Sequence, residues 1–337
     1  MATNTVRIHP KKSEATLLME RSRPPMAIGD SELFKKLRAR LSAVMIDGTK
    51  LYVVEGDTLL DEDQLYFYAL QRERQEQARQ SRNMLELAGM GIANLTQPAS
   101  GGIVSPEPRG LVGIMQDGQL VRWAEGKVLT YCVLRATFGG DDAQAHYQLV
   151  VDSMTKATRA WEKTCRVRFE YHPEFDSGPA GVRPDGVLFP VRELDVGGAF
   201  IAAAFFPNDP IERRRVVIDP SYYSVNLTFD RIGVLRHELG HALGFRHEHI
   251  RSQAPPLCPH EDLEGTINLT DYDPQSVMHY FCGGVGSRDL AITALDRVGA
   301  QVLYGPPLPS PDGLESAGMA EVLTQLFKPA KNIAFVP

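Results

Sequence analysis

Residues 236–247 run Arg236-His237-Glu238-Leu239-Gly240-His241-Ala242-Leu243-Gly244-Phe245-Arg246-His247 and contain the pattern HExxHxxGxxH. On a helix, His237 and His241 stand one turn apart on the same face, so both imidazoles can reach one ion about 2.0–2.1 Å away. Glu238 sits beside them, able to hydrogen-bond a water on that ion without ligating it. Gly244 permits the left-handed backbone turn that ends the helix, and the turn swings His247 round as a third ligand. Three nitrogens leave one coordination position open, where water with a pKa lowered to about 7 becomes a nucleophile and Glu238 carries its proton. One catalytic zinc ion is therefore expected. The far side of the helix carries Ile232, Leu235, Leu239 and Leu243, which bury it. Five fixed positions recur by accident in far fewer than about one sequence in a thousand.

Outward from this run, the chain alternates strand and helix. Lys127–Leu134 is strand-like, Asp141–Lys163 is a long helix with Tyr147, Val150, Val151, Met154 and Ala157 on its apolar side, and Val167–Tyr171 is a second strand. Such a unit favours a right-handed crossover and parallel pairing. Strands near Val187–Val191, Ala199–Phe206 and Arg215–Ile218 complete a twisted mixed sheet of five, and Phe229–Leu243 is the second long helix. The expected class is α+β. Pro, Gly and Ser in QPASGGIVSPEPRG mark a linker, which divides the chain into an N-terminal module at 1–118, a catalytic domain at 119–306 and a C-terminal tail at 307–337. The module is expected to be small and mostly helical. Ser31–Val44 is amphipathic through Leu33, Leu37 and Leu41, Leu51–Val54 is strand-like, and Asp61 to about Arg82 is a second helix.

With 337 residues, a sizeable core plus a smaller module is expected. A net charge of -6 gives no electrostatic case for nucleic acid or an anionic membrane, and no apolar run is long enough for membrane insertion. The first 30 residues lack the apolar core of a signal peptide. Among the four cysteines, Cys258 and Cys282 flank one loop and are the favoured disulfide; Cys132 with Cys165 is a second candidate pair, and four buried thiols are the alternative. His9, His146, His172 and His260 read as ordinary part-exposed residues. Arg213, Arg214 and Arg215 read as a solvated strand end, with selection of acidic substrates as the alternative.

At the metal run the sequence resembles the astacins, a family of the metzincin type. HELGHALGF followed by His247, Glu248 and Arg251 resembles their extended zinc signature, and Ser276-Val277-Met278-His279-Tyr280 looks like their Met-turn. The resemblance implies that Met278 packs beneath the metal and that Tyr280 is an additional ligand able to swing toward the transition state and assist catalysis. Thr293, Asp296 and Tyr304 match the closing helix, and Thr293 with Asp296 forms an N-cap box on sequence grounds alone. His249 and His279 are expected as supporting residues. Gly198–Pro207 looks more like a matrixin rim strand, whose Ala202, Ala203, Ala204 and Phe205 would offer backbone groups to an extended peptide. Ala203 and Val217 stand where matrixin histidines would be, so the structural zinc of matrixins is not implied.

The resemblance further implies that Glu248 receives the N-terminus of a mature enzyme, which requires prior cleavage. Leu51–Asp57, LYVVEGD, resembles the FxGD prosegment motif whose aspartate caps the zinc, making Asp57 a candidate latency ligand, although Gly56-Asp57 is also an ordinary turn. The expected function is zinc-dependent endopeptidase acting on protein or peptide substrates, secreted or extracellular, with a cytoplasmic location as the alternative. A competing reading is a metal-stabilised binding module whose residues 1–118 engage a protein partner; it leaves Glu238 without a task.

Overall fold

The computed structural model describes residues 31–87, 111–116, 118–251, 253–258 and 266–308. The elements in chain order are α1 (Glu32–Arg40), β1 (Ala43–Ile46), β2 (Thr49–Val54), β3 (Thr58–Leu60), α2 (Glu62–Leu87), β4 (Val112–Gln116), β5 (Gln119–Leu120), β6 (Val128–Val133), α3 (Ala143–Glu162), β7 (Arg168–Tyr171), β8 (Phe189–Glu193), β9 (Ala202–Ala203), β10 (Val216–Ile218), α4 (Arg231–Ala242), β11 (Phe245–Arg246), β12 (Thr266–Asn268) and α5 (Ala294–Tyr304).

A mixed five-stranded sheet in the order β7-β6-β8-β10-β9 carries the fold. β7, β6, β8 and β10 are parallel, and β9 closes the edge antiparallel to β10, with Ala203 opposite Val217. The α+β class and the five-stranded mixed sheet agree with the sequence reading. The rim strand is much shorter than 199–206, because only Ala202 and Ala203 pair with β10.

Period-two alternation divides the sheet's faces. Val191, Val216, Ile218 and Ala202 point into the main core with α3 and α4, where Met154, Trp161, Leu235 and Leu239 are also buried. The opposite face, bearing Ala203, Val217 and Phe200, is covered by the β1-β2 hairpin through Val44, Ile46, Leu51 and Val53. This hairpin corrects the N-terminal reading. The helix expected to reach Val44 ends at Arg40, and Ala43–Ile46 is a strand. Asp47 and Gly48 at the tip both have positive φ, 50° and 75°, the backbone of a type I′ turn, for which Asp-Gly is a preferred pair.

The boundary expected near residue 118 falls inside a hairpin. β4 pairs with β5 on one side of it and with β11 and β12 that follow the HExxH helix, so Val112–Gln116 packs with the part of the chain that carries that helix. The Pro-, Gly- and Ser-rich linker, His9, His260 and the tail beyond 308 lie outside the described residues. The Arg213–Arg215 run is not a solvated strand end: Arg213 pairs with Asp61 and Gln64, Arg214 donates to the carbonyls of Asp209 and Pro207, and Arg215 pairs with Asp47. Cys258 and Cys282 are joined, whereas Cys132 and Cys165 are free and buried.

Candidate metal centre

Helix α4 starts where Asp230 accepts a hydrogen bond from the Gly233 N–H, a carboxylate N-cap. Its middle and its C-terminal end are fixed by two indoles: Trp161 Nε1 donates to the Arg236 carbonyl and Trp123 Nε1 to the Ala242 carbonyl, each at 2.8 Å. Gly244 then takes φ 95°, and a Cβ there would lie 2.8 Å from the Val121 carbonyl oxygen. Backbone conformation and space therefore both demand glycine at the turn that delivers His247.

His237, His241 and His247 converge with Asp57, all four buried, with ligand atoms within 4.8 Å of one another. Two of the imidazoles have their orientation set from behind. His237 Nδ1 donates to the Val277 carbonyl at 2.7 Å and His241 Nδ1 to the Phe245 carbonyl at 2.8 Å. A carbonyl oxygen only accepts, so the proton sits on Nδ1 and each Nε2 keeps its lone pair for the centre. Burial lowers the His241 pKa to about 4, which holds this imidazole in the neutral, ligating form at neutral pH.

The residues fit a divalent ion. His241 Nε2 and His247 Nε2 are 3.1 Å apart, close to the separation of about 3.3 Å for two nitrogens each 2.0–2.1 Å from a tetrahedral metal. His237 Nε2, Asp57 Oδ1 and Glu238 Oε2 are buried without a hydrogen-bond partner, a costly arrangement unless something charged sits among them. Asp57 Oδ1 lies 3.2 Å from His247 Nε2 and 3.7 Å from His241 Nε2; Asp57 Oδ2 lies 3.5 Å from His237 Nε2. Burial works to raise the Asp57 carboxyl, but the charge on the imidazole cluster, that of His247 foremost, outweighs it and holds the group well below its ordinary range. Glu238 moves the other way, raised by burial and by the Asp57 charge, while the Ala204 N–H bonds its carboxylate.

Beneath α4 lies Met278, fully buried. A Cβ on Gly240 would come within 2.3 Å of Met278 Sδ. The turn that carries Met278 is braced by Asp296, which accepts from Ser276 Oγ at 2.6 Å and from the Val277 N–H at 2.8 Å. Thr293 and Asp296 also form the expected capping box of α5. Asp296 thus joins the helix start to the carbonyl that orients His237. The Tyr304 hydroxyl donates to the Leu243 carbonyl at 2.6 Å, tying the end of α5 to the end of α4.

Tyr280 points into the same space, its hydroxyl donating to Asp57 Oδ2 and its ring centre 4.4 Å from that of His247 and 4.6 Å from that of His249. His279 lies one layer out, its Nε2 accepting from the Tyr272 hydroxyl at 2.7 Å. Glu248 is buried, with Oε1 accepting from the Asp273 N–H at 2.9 Å and facing Arg251 Nε at 3.0 Å; burial raises its pKa to about 8. Ala202 and Ala203 form the sheet edge, whereas the Phe205 side chain is core, tilted against Phe189 and edge-on to Trp123. His146 lies flat on Tyr223 with ring centres 3.7 Å apart, and His172 pairs with Glu174; neither belongs to the site.

A divalent cation fits this cluster. The chain matches no protein-family model and no curated relative. Among solved structures it is similar to myroilysin, with TM-score 0.39 and 16% identity over 56% of this chain and 97% of that one. It is also similar to high choriolytic enzyme 1, a hatching enzyme zinc-protease from Oryzias latipes (medaka fish), with TM-score 0.34 and 19% identity over 55% and 95%. Both TM-scores lie under 0.5, so the chemistry of the centre rests on its own residues.

Gly240, Trp123, Trp161 and the bracing role of Asp296 are missed by motif reading. Gly240 occupies a variable position of the pattern, and the others act through contacts 75 to 119 positions away in sequence for the indoles.

Proposed function

We propose that the chain is an astacin-like zinc endopeptidase made as a latent precursor. The observation that carries this reading is three buried imidazoles presenting ring nitrogens to one point, with the unpaired Glu238 Oε2 beside them. His237, His241 and His247 would hold the ion, which when bound supplies Lewis acidity that makes water nucleophilic near neutral pH. Glu238 takes the water's proton on its carboxylate and delivers it to the leaving amine. The Ala204 N–H on that carboxylate aims it. Tyr280, once its hydroxyl turns from Asp57 toward the scissile carbonyl, donates to the developing oxyanion. β9 ends the sheet, and its outer edge pairs with an extended peptide by strand addition. Asp57 occupies the place of water in the full chain and so holds it latent. The Cys258–Cys282 disulfide supports an oxidising, extracellular setting.

Metal analysis and casein hydrolysis test the reading together. One zinc per chain is expected, with casein cut by wild type and not by Glu238→Ala. Protein that stays metal-free after dialysis against zinc, or a Glu238→Ala variant as active as wild type, contradicts it. Latency is tested separately: Asp57→Ala raises the activity of the full-length chain, and unchanged latency removes that part of the proposal.

A further inference from the structure

Asp57 reaches the imidazoles on a turn between two paired strands. Val54 of β2 pairs with Thr58 of β3, and Glu55 and Gly56 between them take positive φ, 56° and 91°. A Cβ on Gly56 would sit 2.6 Å from the Tyr280 hydroxyl, so the turn fits against that ring with no space to spare. Asp57 therefore keeps its position for as long as β2 keeps its own.

β2 is held from both sides. Its alternate residues Tyr52 and Val54 face α1 and α2, where Phe34, Leu65, Tyr66 and Ala69 complete a small core. Leu51 and Val53 face the other way. With Val44 and Ile46 of β1 they cover Phe200, Ala203 and Val217 on the face of the five-stranded sheet turned away from α3 and α4. Ala203 and Val217 are 1% and 0% exposed in consequence. Two apolar sheet faces are thus packed on each other, the composition of a permanent interface rather than a transient one. Charge pairs add to it: Arg192 holds both carboxylate oxygens of Asp47 at 2.8 Å, and Asp61 meets Arg213. The chain between Leu87 and Val112 joins the two packed parts, and each of these contacts lies outside it. A cut there removes only an effective concentration, about millimolar for a short flexible connection.

Resting on the peptidase reading above, we propose that cutting this connection does not open the site: residues 31–87 stay seated as a non-covalent inhibitor, with Asp57 at the imidazoles. Opening requires the β1-β2 hairpin to lose its hold on the sheet. Latency is then set by an interface on the far side of the sheet from the helices, and the connection between the two parts has no share in it.

The test uses the full-length chain with zinc, carrying a site for a sequence-specific peptidase between residues 98 and 105. After complete clipping at about 1 µM chain, gel filtration is expected to return both fragments in one peak, and amide exchange over residues 51–57 to match that of the uncut chain. Casein hydrolysis should rise less than about twofold on clipping. In clipped Ile46→Asp, which buries a charge between the two apolar faces, the fragments separate and hydrolysis rises at least about tenfold. Asp47→Lys, at the exposed hairpin tip, sets a third cation against Arg192 and Arg215 and gives the same separation with both cores untouched, so it carries the comparison where Ile46→Asp fails to fold. Wild-type fragments that separate, faster exchange over 51–57, or a tenfold gain on clipping alone overturns the inference and leaves the peptidase reading intact. Fragments that stay together in both variants overturn it as well, because the hairpin is then not the hold. Separated fragments that never cut casein overturn the peptidase reading, and elution with exchange still decides whether residues 31–87 stay seated.

Discussion

Glu238 and Gly240 are separated by one residue and do opposite kinds of work. Glu238 is buried at 3% exposure with Oε2 unpaired, which stabilises nothing by itself and is the arrangement that the proposed proton carrier requires. Glu238→Gln keeps the shape and removes the proton acceptor, so hydrolysis should fall by about 10²–10⁴-fold while zinc content, measured by mass spectrometry of the metal, stays at the wild-type level. Gly240 works by having no side chain. A methyl group at Gly240 would press on Met278 Sδ at 2.3 Å and Trp161 Cζ2 at 3.4 Å. Gly240→Ala is expected to cost about 1–3 kcal/mol, the usual range for overpacking a filled core, read as a lower urea midpoint. The first of these residues is visible in the motif; the second occupies a position the motif leaves free.

Among the elements, two short local signals have different histories. The α5 capping box is legible from Thr293 and Asp296 alone, because both partners lie within one helical turn. Its second use is not legible, since the same carboxylate also bonds Ser276 and Val277, some 20 positions away. Thr293→Ala removes the hydroxyl that accepts from the Asp296 N–H and donates to Asp273 Oδ2 at 2.6 Å. A loss of about 1–2 kcal/mol in unfolding free energy is expected, read by urea denaturation. The β1-β2 hairpin shows the converse error. Leucines at helical spacing carry the amphipathic pattern past Arg40, yet Asp47-Gly48 is a hairpin signal, and the strand alternation of Val44 and Ile46 follows from it.

At the scale of the molecule, residues 47–61 grip the part that carries the imidazoles at several separated points: Asp57 at the imidazoles, Glu55 on Arg246, Asp61 on Arg213, and Asp47 across Arg192 and Arg215. Asp47 is 38% exposed while Arg192 and Arg215 are 6% and 10% exposed. Asp47→Asn should therefore cost less than the roughly 3–5 kcal/mol of a fully buried broken pair and still loosen the module, seen as higher basal activity of the full-length chain on casein. Metal removal is a second whole-molecule test. Because an ion bound to the folded state alone stabilises it by mass action, chelation with EDTA should lower the melting temperature and zinc should restore it; equal melting with and without zinc would count against a native metal site.

The convergence of three imidazoles beside Glu238, the glycine turn and the α+β class were determined by the sequence itself, because each depends on spacing within one helix, one turn or one alternating strand. Only the tertiary structure decided that Asp57 reaches the imidazoles, that Arg213 and Arg215 meet acidic partners, that Gly240 makes room for Met278, and that the open sheet face is covered by the hairpin. Those contacts join residues 38 to 190 positions apart, and no local periodicity encodes which distant surfaces meet. That choice follows from burying apolar area and pairing charge over the whole chain at once.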